Sequence, residues 1–193
     1  MSGPSSALLD ATHQVIDDVG IERATMERIA VAAGVSRVTL HRRGVSRTEL
    51  IGGLMERIAA AYRDCMVPAL VSAGTGEERL RAALLALCGA AEPHLSVLAG
   101  LYDAQAPVFH ELLADGRRVT RLDFTAPLQR LLQDGASDGS LRTVDDLAET
   151  AEVLFNAVGW TYVHLRRSHG WPVERASFAV IDLHLAGVAA PSR

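Results

Sequence analysis

Residues 25–50 read TMERIAVAAGVSRVTLHRRGVSRTEL, and the spacing of their apolar positions decides the fold of the N-terminal part of the chain. Thr25 precedes Met26, Ile29, Ala30 and Ala33, which share one face of a short helix whose first turn the Thr hydroxyl caps. Gly34 stops that helix, because a left-handed residue after a helix costs least as glycine. Ser36 then caps the next helix, over residues 37–43. Ala33 and Gly34 let the two helices cross closely, while Val35 and Leu40 pin the second to an apolar floor. Arg37, Val38, His41 and Arg42 are left on the outer face. Two short helices joined by such a turn make a helix-turn-helix.

Outward from this stretch the pattern stays helical. Leu8, Ala11, Val15 and Val19 place a first helix over residues 6–19, ended by Gly20. From Arg47 a longer amphipathic helix carries Leu50, Ile51, Leu54, Met55, Ile58, Tyr62 and Met66 as far as Pro68. After the flexible loop 72–76, residues 77–91 carry Leu80, Leu84, Leu87 and Cys88 on one face. Pro93 opens a short helix ending near Tyr102, and Pro107 another through Leu113. Residues 116–134 continue with Leu122, Leu128, Leu131 and Leu132, and Pro127 either kinks this helix or starts a new one. A turn is expected over 135–142. Thr143 and Asp146 then form a capping box for a helix over 144–167, and Pro172 opens a last one over 172–189. The expectation is an all-α chain: a helix-turn-helix domain in residues 1–50, a larger helical domain in 51–193, and a bridging helix over 47–67.

Composition agrees with this and narrows the function classes. Of 193 residues, 49% are hydrophobic, 22% charged and 5% aromatic, a core-forming balance that excludes a disordered chain. The longest strictly apolar run, residues 82–91, is too short for the roughly 20 residues a bilayer span needs, so no membrane helix is expected. The first residues lack the basic segment of a secretory signal, which points to the cytoplasm. Cys65 and Cys88 supply neither a disulfide framework nor a zinc site and are expected as buried thiols. No nucleophile elbow, phosphate loop or His-Glu-x-x-His pattern occurs, so no enzyme, cofactor or metal is expected. His164 and His169 lie five apart, off a common helical face, and His94 and His110 meet only if the tertiary fold brings them together.

The net charge of −4 hides a local concentration of the opposite sign. Between Ser36 and Arg47 lie Arg37, His41, Arg42, Arg43 and Arg47 with no acid. With the helix-turn-helix around it, this cluster resembles the DNA-binding signature of the TetR family of transcriptional regulators. The family pattern is matched at Thr25, Ile29, Ala30, Ala33, Gly34, Val35, Ser36, Thr39, Leu40 and Leu50. The chain departs from it at His41, Gly44 and Arg47, where the family usually has Tyr, Phe and Lys. The resemblance implies that Thr25, Thr39, His41 and Arg47 anchor the DNA backbone, that Arg37, Val38 and Arg42 face base edges, and that Ser36 and Arg43 also belong to the DNA-binding set. Physics supports that division, since backbone donors set register and a forked Arg is the commonest reader of guanine.

The remaining helices read from their own pattern. Met55, Ile58, Tyr62, Met66, Leu84, Leu87, Cys88, Tyr102, Phe109, Phe124 and Phe155 are large apolar residues suited to line a cavity or to fill the core. In the family, an apolar ligand in such a cavity shifts the bridging helix and so the recognition helices. The last two helices resemble the pair through which the family dimerises, which makes Val158, Tyr162, Phe178, Ile181 and Leu185 interface candidates, with the monomer core as the alternative. The resulting expectation is a homodimeric repressor on a palindromic double-stranded DNA operator, released by a small apolar effector. The alternative is a helical ligand-binding or protein-interaction module whose DNA binding has weakened.

Overall fold

The computed structural model describes residues 3–104 and 121–190. Among the described residues it contains nine α-helices: α1 Ser6–Val19, α2 Met26–Ala32, α3 Arg37–Arg42, α4 Arg47–Val71, α5 Gly76–Ala91, α6 Leu95–Asp103, α7 Arg121–Asp138, α8 Leu147–Arg167 and α9 Val173–Ala186. A 3-10 turn, Glu92–His94, joins α5 to α6, and the sole extended pairing among these residues is a bridge between Leu141 and Ala189. The chain is all-α, as the periodicity predicts.

Two compact units divide the chain within α4. The first runs to Ala59 and returns at Ser96 with α6; the second takes Ala60–Leu95 and the chain from α7 onward. In the first unit α1 buries Leu8, Leu9, Val15 and Ile16, and Gly20 ends it at φ +82°. Gly53 of α4 allows a close approach to α1, since a Cβ there would lie 2.8 Å from Leu9 Cδ2. Gly100 of α6 does the same against the turn after α1, where a Cβ would overlap the Ile21 side chain.

In the second unit α5 packs against α7, α8 and α9, with Leu80, Ala83 and Leu84 wholly buried. α5 starts at a capping box the sequence reading overlooked: Thr75 Oγ1 accepts from Glu78 N–H and Glu78 accepts from Thr75 N–H at 2.8 Å. Two further N–H groups of its first turn donate to the end of α7 and the turn after it, Gly76 to Asp138 Oδ2 at 2.6 Å and Glu77 to Ser140 Oγ at 3.0 Å. Arg79, also on α5, donates to the carbonyls of Ala69 and Leu70 at the end of α4 and to Asp134 Oδ2 on α7, at 3.1, 2.7 and 3.0 Å.

Several expected boundaries move. α4 passes through Pro68 to Val71, because a proline in the last turn removes only one intrahelical bond. α7 passes through Pro127 without a new start and through Gly135 to Asp138. Gly135 therefore belongs to a helix and not to the predicted turn; its bare Cα is where Gly76 and Leu141 pack, and φ +79° at Gly139 makes the actual stop. The cap of α8 is Asp146 itself, which accepts from Ala148 and Glu149 N–H at 2.8 and 2.9 Å, so Thr143 is not the capping residue. Finally, α5, the 3-10 turn and α6 make a run of 28 residues, Gly76–Asp103, within which an 18-residue window of mean hydropathy 1.5 is long and apolar enough by composition to cross a membrane. The expectation of no such helix rested on residues 82–91 alone. In the folded chain α5 spends its apolar face on α7, α8 and α9, as a core helix does.

Candidate nucleic-acid interface

The surface for a nucleic acid is built from two caps and a buried anchor. Thr25 Oγ1 accepts from Arg28 N–H at 3.4 Å at the start of α2, and Ser36 Oγ accepts from Thr39 N–H at 3.0 Å at the start of α3. Gly34 at φ +66° makes the turn between them. Leu40, 1% exposed, holds α3 to the unit's core. The opposite face is open: Val38 is 67% exposed, and Arg37, His41, Arg42 and Arg43 are exposed with it, while Thr39 is half-buried. Arg37, Val38, His41 and Arg42 thus stand exposed on α3 opposite Leu40, and Thr25 and Ser36 cap the two helices.

Two contacts organise this cluster. Arg37 Nη1 pairs with Glu27 Oε1 on α2 at 2.6 Å; the Glu27 backbone N–H and this guanidinium hold the carboxyl below its usual range. Arg47, though exposed, reaches back to the protein's own backbone: Nη2 donates to Ile21 O at 2.6 Å and Nε to Ala24 O at 3.4 Å, closing the turn between α1 and α2. These donors are spent on the protein's own carbonyls, a role for Arg47 that the motif does not suggest. A second overlooked capping box starts α4, with Ser46 N–H donating to Glu49 Oε2 at 2.7 Å and Glu49 N–H to Ser46 Oγ at 3.1 Å. Gly44, where the family usually has Phe, sits at φ +68° beyond α3 with its N–H on His41 O, so here it is the left-handed residue that ends the helix.

Of the residues expected to line a cavity, Ile58, Tyr62, Met66, Leu84, Leu87, Cys88, Phe124 and Phe155 are buried and Met55 is half-buried. Tyr62, Phe124 and Phe155 form an aromatic trio with ring centroids 5.4–5.7 Å apart, and Tyr62 OH donates to Phe124 O at 2.6 Å. Burial pushes the Tyr62 hydroxyl up and the Cys88 thiol up to about 12, so Cys88 is an inert core thiol. Cys65 is half-buried and not buried as expected, with its Sγ donating to Tyr62 O at 3.0 Å. Tyr102 does not join the buried set: in the last turn of α6 it is 61% exposed. Phe109 lies outside the described residues.

The interface candidates divide by exposure. Val158, Tyr162, Ile181 and Leu185 are buried in the chain's own packing of α8 and α9, because they occupy the faces these helices turn to each other and to α5. Only Phe178, 49% exposed, is on the surface. The exposed large apolar residues of these helices are Val153, Val173, Phe178 and Leu183. Tyr162 is instead part of a polar node: its hydroxyl donates to Glu92 Oε2 at 2.5 Å, and Arg166 Nε reaches the same oxygen at 2.9 Å.

A capped helix-turn-helix with an acid-free outer face on α3, followed by a helical bundle, is an arrangement that helix-turn-helix proteins use to present a helix to a DNA groove. Residues 8–53 match the family model of the bacterial regulatory proteins, tetR family. Over 76 residues the chain is 37% identical to the HTH-type transcriptional regulator BetI of Rhizobium meliloti (strain 1021); that stretch is 39% of this chain and spans little more than a third, 37%, of the relative. Among solved structures, the fold is shared with PfmR, a TetR family transcriptional regulator from Thermus thermophilus, with a TM-score of 0.73, 20% identity, and coverage of 98% of this chain and 100% of that one. It is also shared with the transcriptional regulator FadR from Bacillus subtilis in complex with stearoyl-CoA, with a TM-score of 0.66, 18% identity, and coverage of 94% and 97%. Residues 8–53 are thus similar to the tetR family of bacterial regulatory proteins, and the fold of the chain is shared with solved structures of that family.

Proposed function

We propose that this protein is a cytoplasmic transcriptional repressor that binds a palindromic operator as a homodimer and leaves it when a small apolar ligand binds. The observation that carries this reading is the outer face of α3, where Val38, His41, Arg42 and Arg43 stand exposed on a helix held by Leu40 and the Ser36 cap. Residues 1–50 carry the DNA contacts; residues 51–193 carry the ligand and the dimer contacts. Thr25, Ser36, Thr39 and His41 set register on phosphates, and Arg37, Val38 and Arg42, with Arg43, face base edges. Because one helix-turn-helix reads few bases, selectivity calls for two copies on half-sites about one helical turn apart. The ligand site centres on the trio Tyr62, Phe124 and Phe155, whose apolar surroundings suit an acyl or polycyclic compound; the stearoyl-CoA of the Bacillus subtilis FadR complex supports that class. For the dimer, Val153, Phe178 and Leu183 replace the buried candidates.

The test is selection of duplexes from a random pool by the purified chain at about 150 mM salt, where non-specific phosphate attraction is already weakened. Enrichment of a palindrome supports the reading. Recovery of no preferred sequence, with and without added fatty-acyl compounds, would favour a ligand-binding or protein-interaction module instead.

A further inference from the structure

The end of α8 brings together two side chains that helical spacing keeps apart. α8 stops at Arg167, Ser168 N–H donates to His164 O at 2.8 Å, and Gly170 at φ +63° turns the chain so that Trp171 N–H reaches Leu165 O at 3.0 Å. This reversal folds His169 back over the last turn. Its Nε2 comes to 3.1 Å from His164 Nε2, with ring centroids 4.8 Å apart and planes at 77°. Both residues are exposed.

We propose that His164 and His169 form a bidentate imidazole site for a first-row divalent cation of borderline softness: Cu²⁺, Ni²⁺ or Zn²⁺. Two nitrogens about 2.0–2.1 Å from one ion stand about 2.9–3.4 Å apart as the angle between them opens from square to tetrahedral. The observed 3.1 Å falls inside that window. Without metal, one Nε2–H donates to the other ring; on binding, that hydrogen moves to Nδ1, so both rings stay neutral and both Nε2 lone pairs face the ion. The site lies at the C-terminal end of a 21-residue helix, where the partial negative charge of the last carbonyls favours a cation, and the neighbouring Arg166 is matched by Glu92. Among the described residues no third His, Cys, Asp or Glu converges with the pair, so water completes the shell and the ion exchanges readily. Imidazole ligands select this class over Mg²⁺ and Ca²⁺, which take oxygen. The bound ion staples the end of α8 to the turn that leads into α9.

The experiment is calorimetric titration of the chelator-stripped full chain with Ni²⁺ and, separately, Zn²⁺, together with thermal unfolding in each metal. The expected result is one ion per chain and a raised unfolding midpoint. His169→Gln and His164→Gln each weaken binding by about tenfold or more, because one imidazole loses the chelate advantage. His184→Gln keeps the wild-type affinity, since that ring is engaged with Val180 O at 2.7 Å. Affinity equal in wild type and His169→Gln, or no binding of either metal at 0.1 mM, on the order of a weak exposed site, would overturn the proposal.

Discussion

Arg42 stands exposed in the last turn of α3, and on the proposed reading it meets a base edge. Arg42→Ala is expected to relax preference at one operator position by about 1–3 kcal/mol, measured by competition between duplexes. Arg47 carries the same charge in the same cluster but spends Nη2 and Nε on Ile21 O and Ala24 O. The motif alone predicts that Arg47→Ala flattens the salt slope by about one unit. The structure changes that expectation: the slope stays near wild type, all duplexes weaken alike, and the chain loses about 1 kcal/mol of stability through the unsatisfied carbonyls. A full unit of slope lost would return Arg47 to the DNA backbone. Gly44 has open space around its Cα, so only its φ of +68° opposes a side chain. Gly44→Ala should therefore cost about 1 kcal/mol in denaturant unfolding, the strain of a left-handed L-residue.

Two close fits between helices show how the second unit holds its elements. Alanine in place of Gly76 gains up to about 1 kcal/mol of helix propensity. Its Cβ, however, would overlap the backbone of Gly135, which cannot rotate away as a side chain can. Overpacking of this kind costs about 1–3 kcal/mol, so Gly76→Ala is expected to destabilise the chain despite the better helix former. Arg79 joins three elements through Ala69 O, Leu70 O and Asp134. Arg79→Met keeps the apolar stem and removes the donors; the expected loss is about 2–3 kcal/mol, because two carbonyls and a carboxylate lose charge-assisted partners. An unfolding midpoint unchanged in Arg79→Met would show the clasp to be idle. Neither effect is readable from periodicity, which places residues on a face but does not say what lies opposite.

For the whole chain, acid stability follows from its carboxylate partners. Hydrogen bonds from Arg166, with one from Tyr162, hold the Glu92 carboxyl below its ordinary range, and Arg130 and Arg79 do the same for Asp134. A carboxyl lowered on folding adds stability that is fully present above its unfolded pKa, about 4.3 for Glu, and lost as pH falls through the folded value. Stability is therefore expected to decline below about pH 4.3, and Glu92→Gln should show a shallower decline on top of a loss at neutral pH of about 2 kcal/mol. Urea unfolding at a series of pH values checks both; parallel curves for wild type and variant would exclude the role of Glu92. At the same scale, the dimer reading separates surface from core. Leu183→Glu, at a 73% exposed site, should yield a folded monomer by sedimentation, whereas Val158→Glu should fail to fold because it buries a charge.

By itself the sequence determined whatever rests on local chemistry and on period. Thr25, Ser36, Gly20 and Gly34 mark helix ends through caps and left-handed backbone, and 3.6-residue spacing separates Leu40 from the exposed face of Arg37, Val38, His41 and Arg42. The family signature in residues 25–50 was legible for the same reason, since each of its positions answers a local need for a small, apolar or capping residue. Only the tertiary structure decided which apolar face meets which. Val158, Tyr162, Ile181 and Leu185 read equally well as interface or core, and partner helices within the chain bury them. It also decided that Arg47 closes a turn more than 20 residues away, that Gly135 belongs inside a helix, and that His169 returns to His164. These depend on contacts between positions distant in sequence or across a chain reversal, where side-chain type alone carries no signal of what will stand opposite.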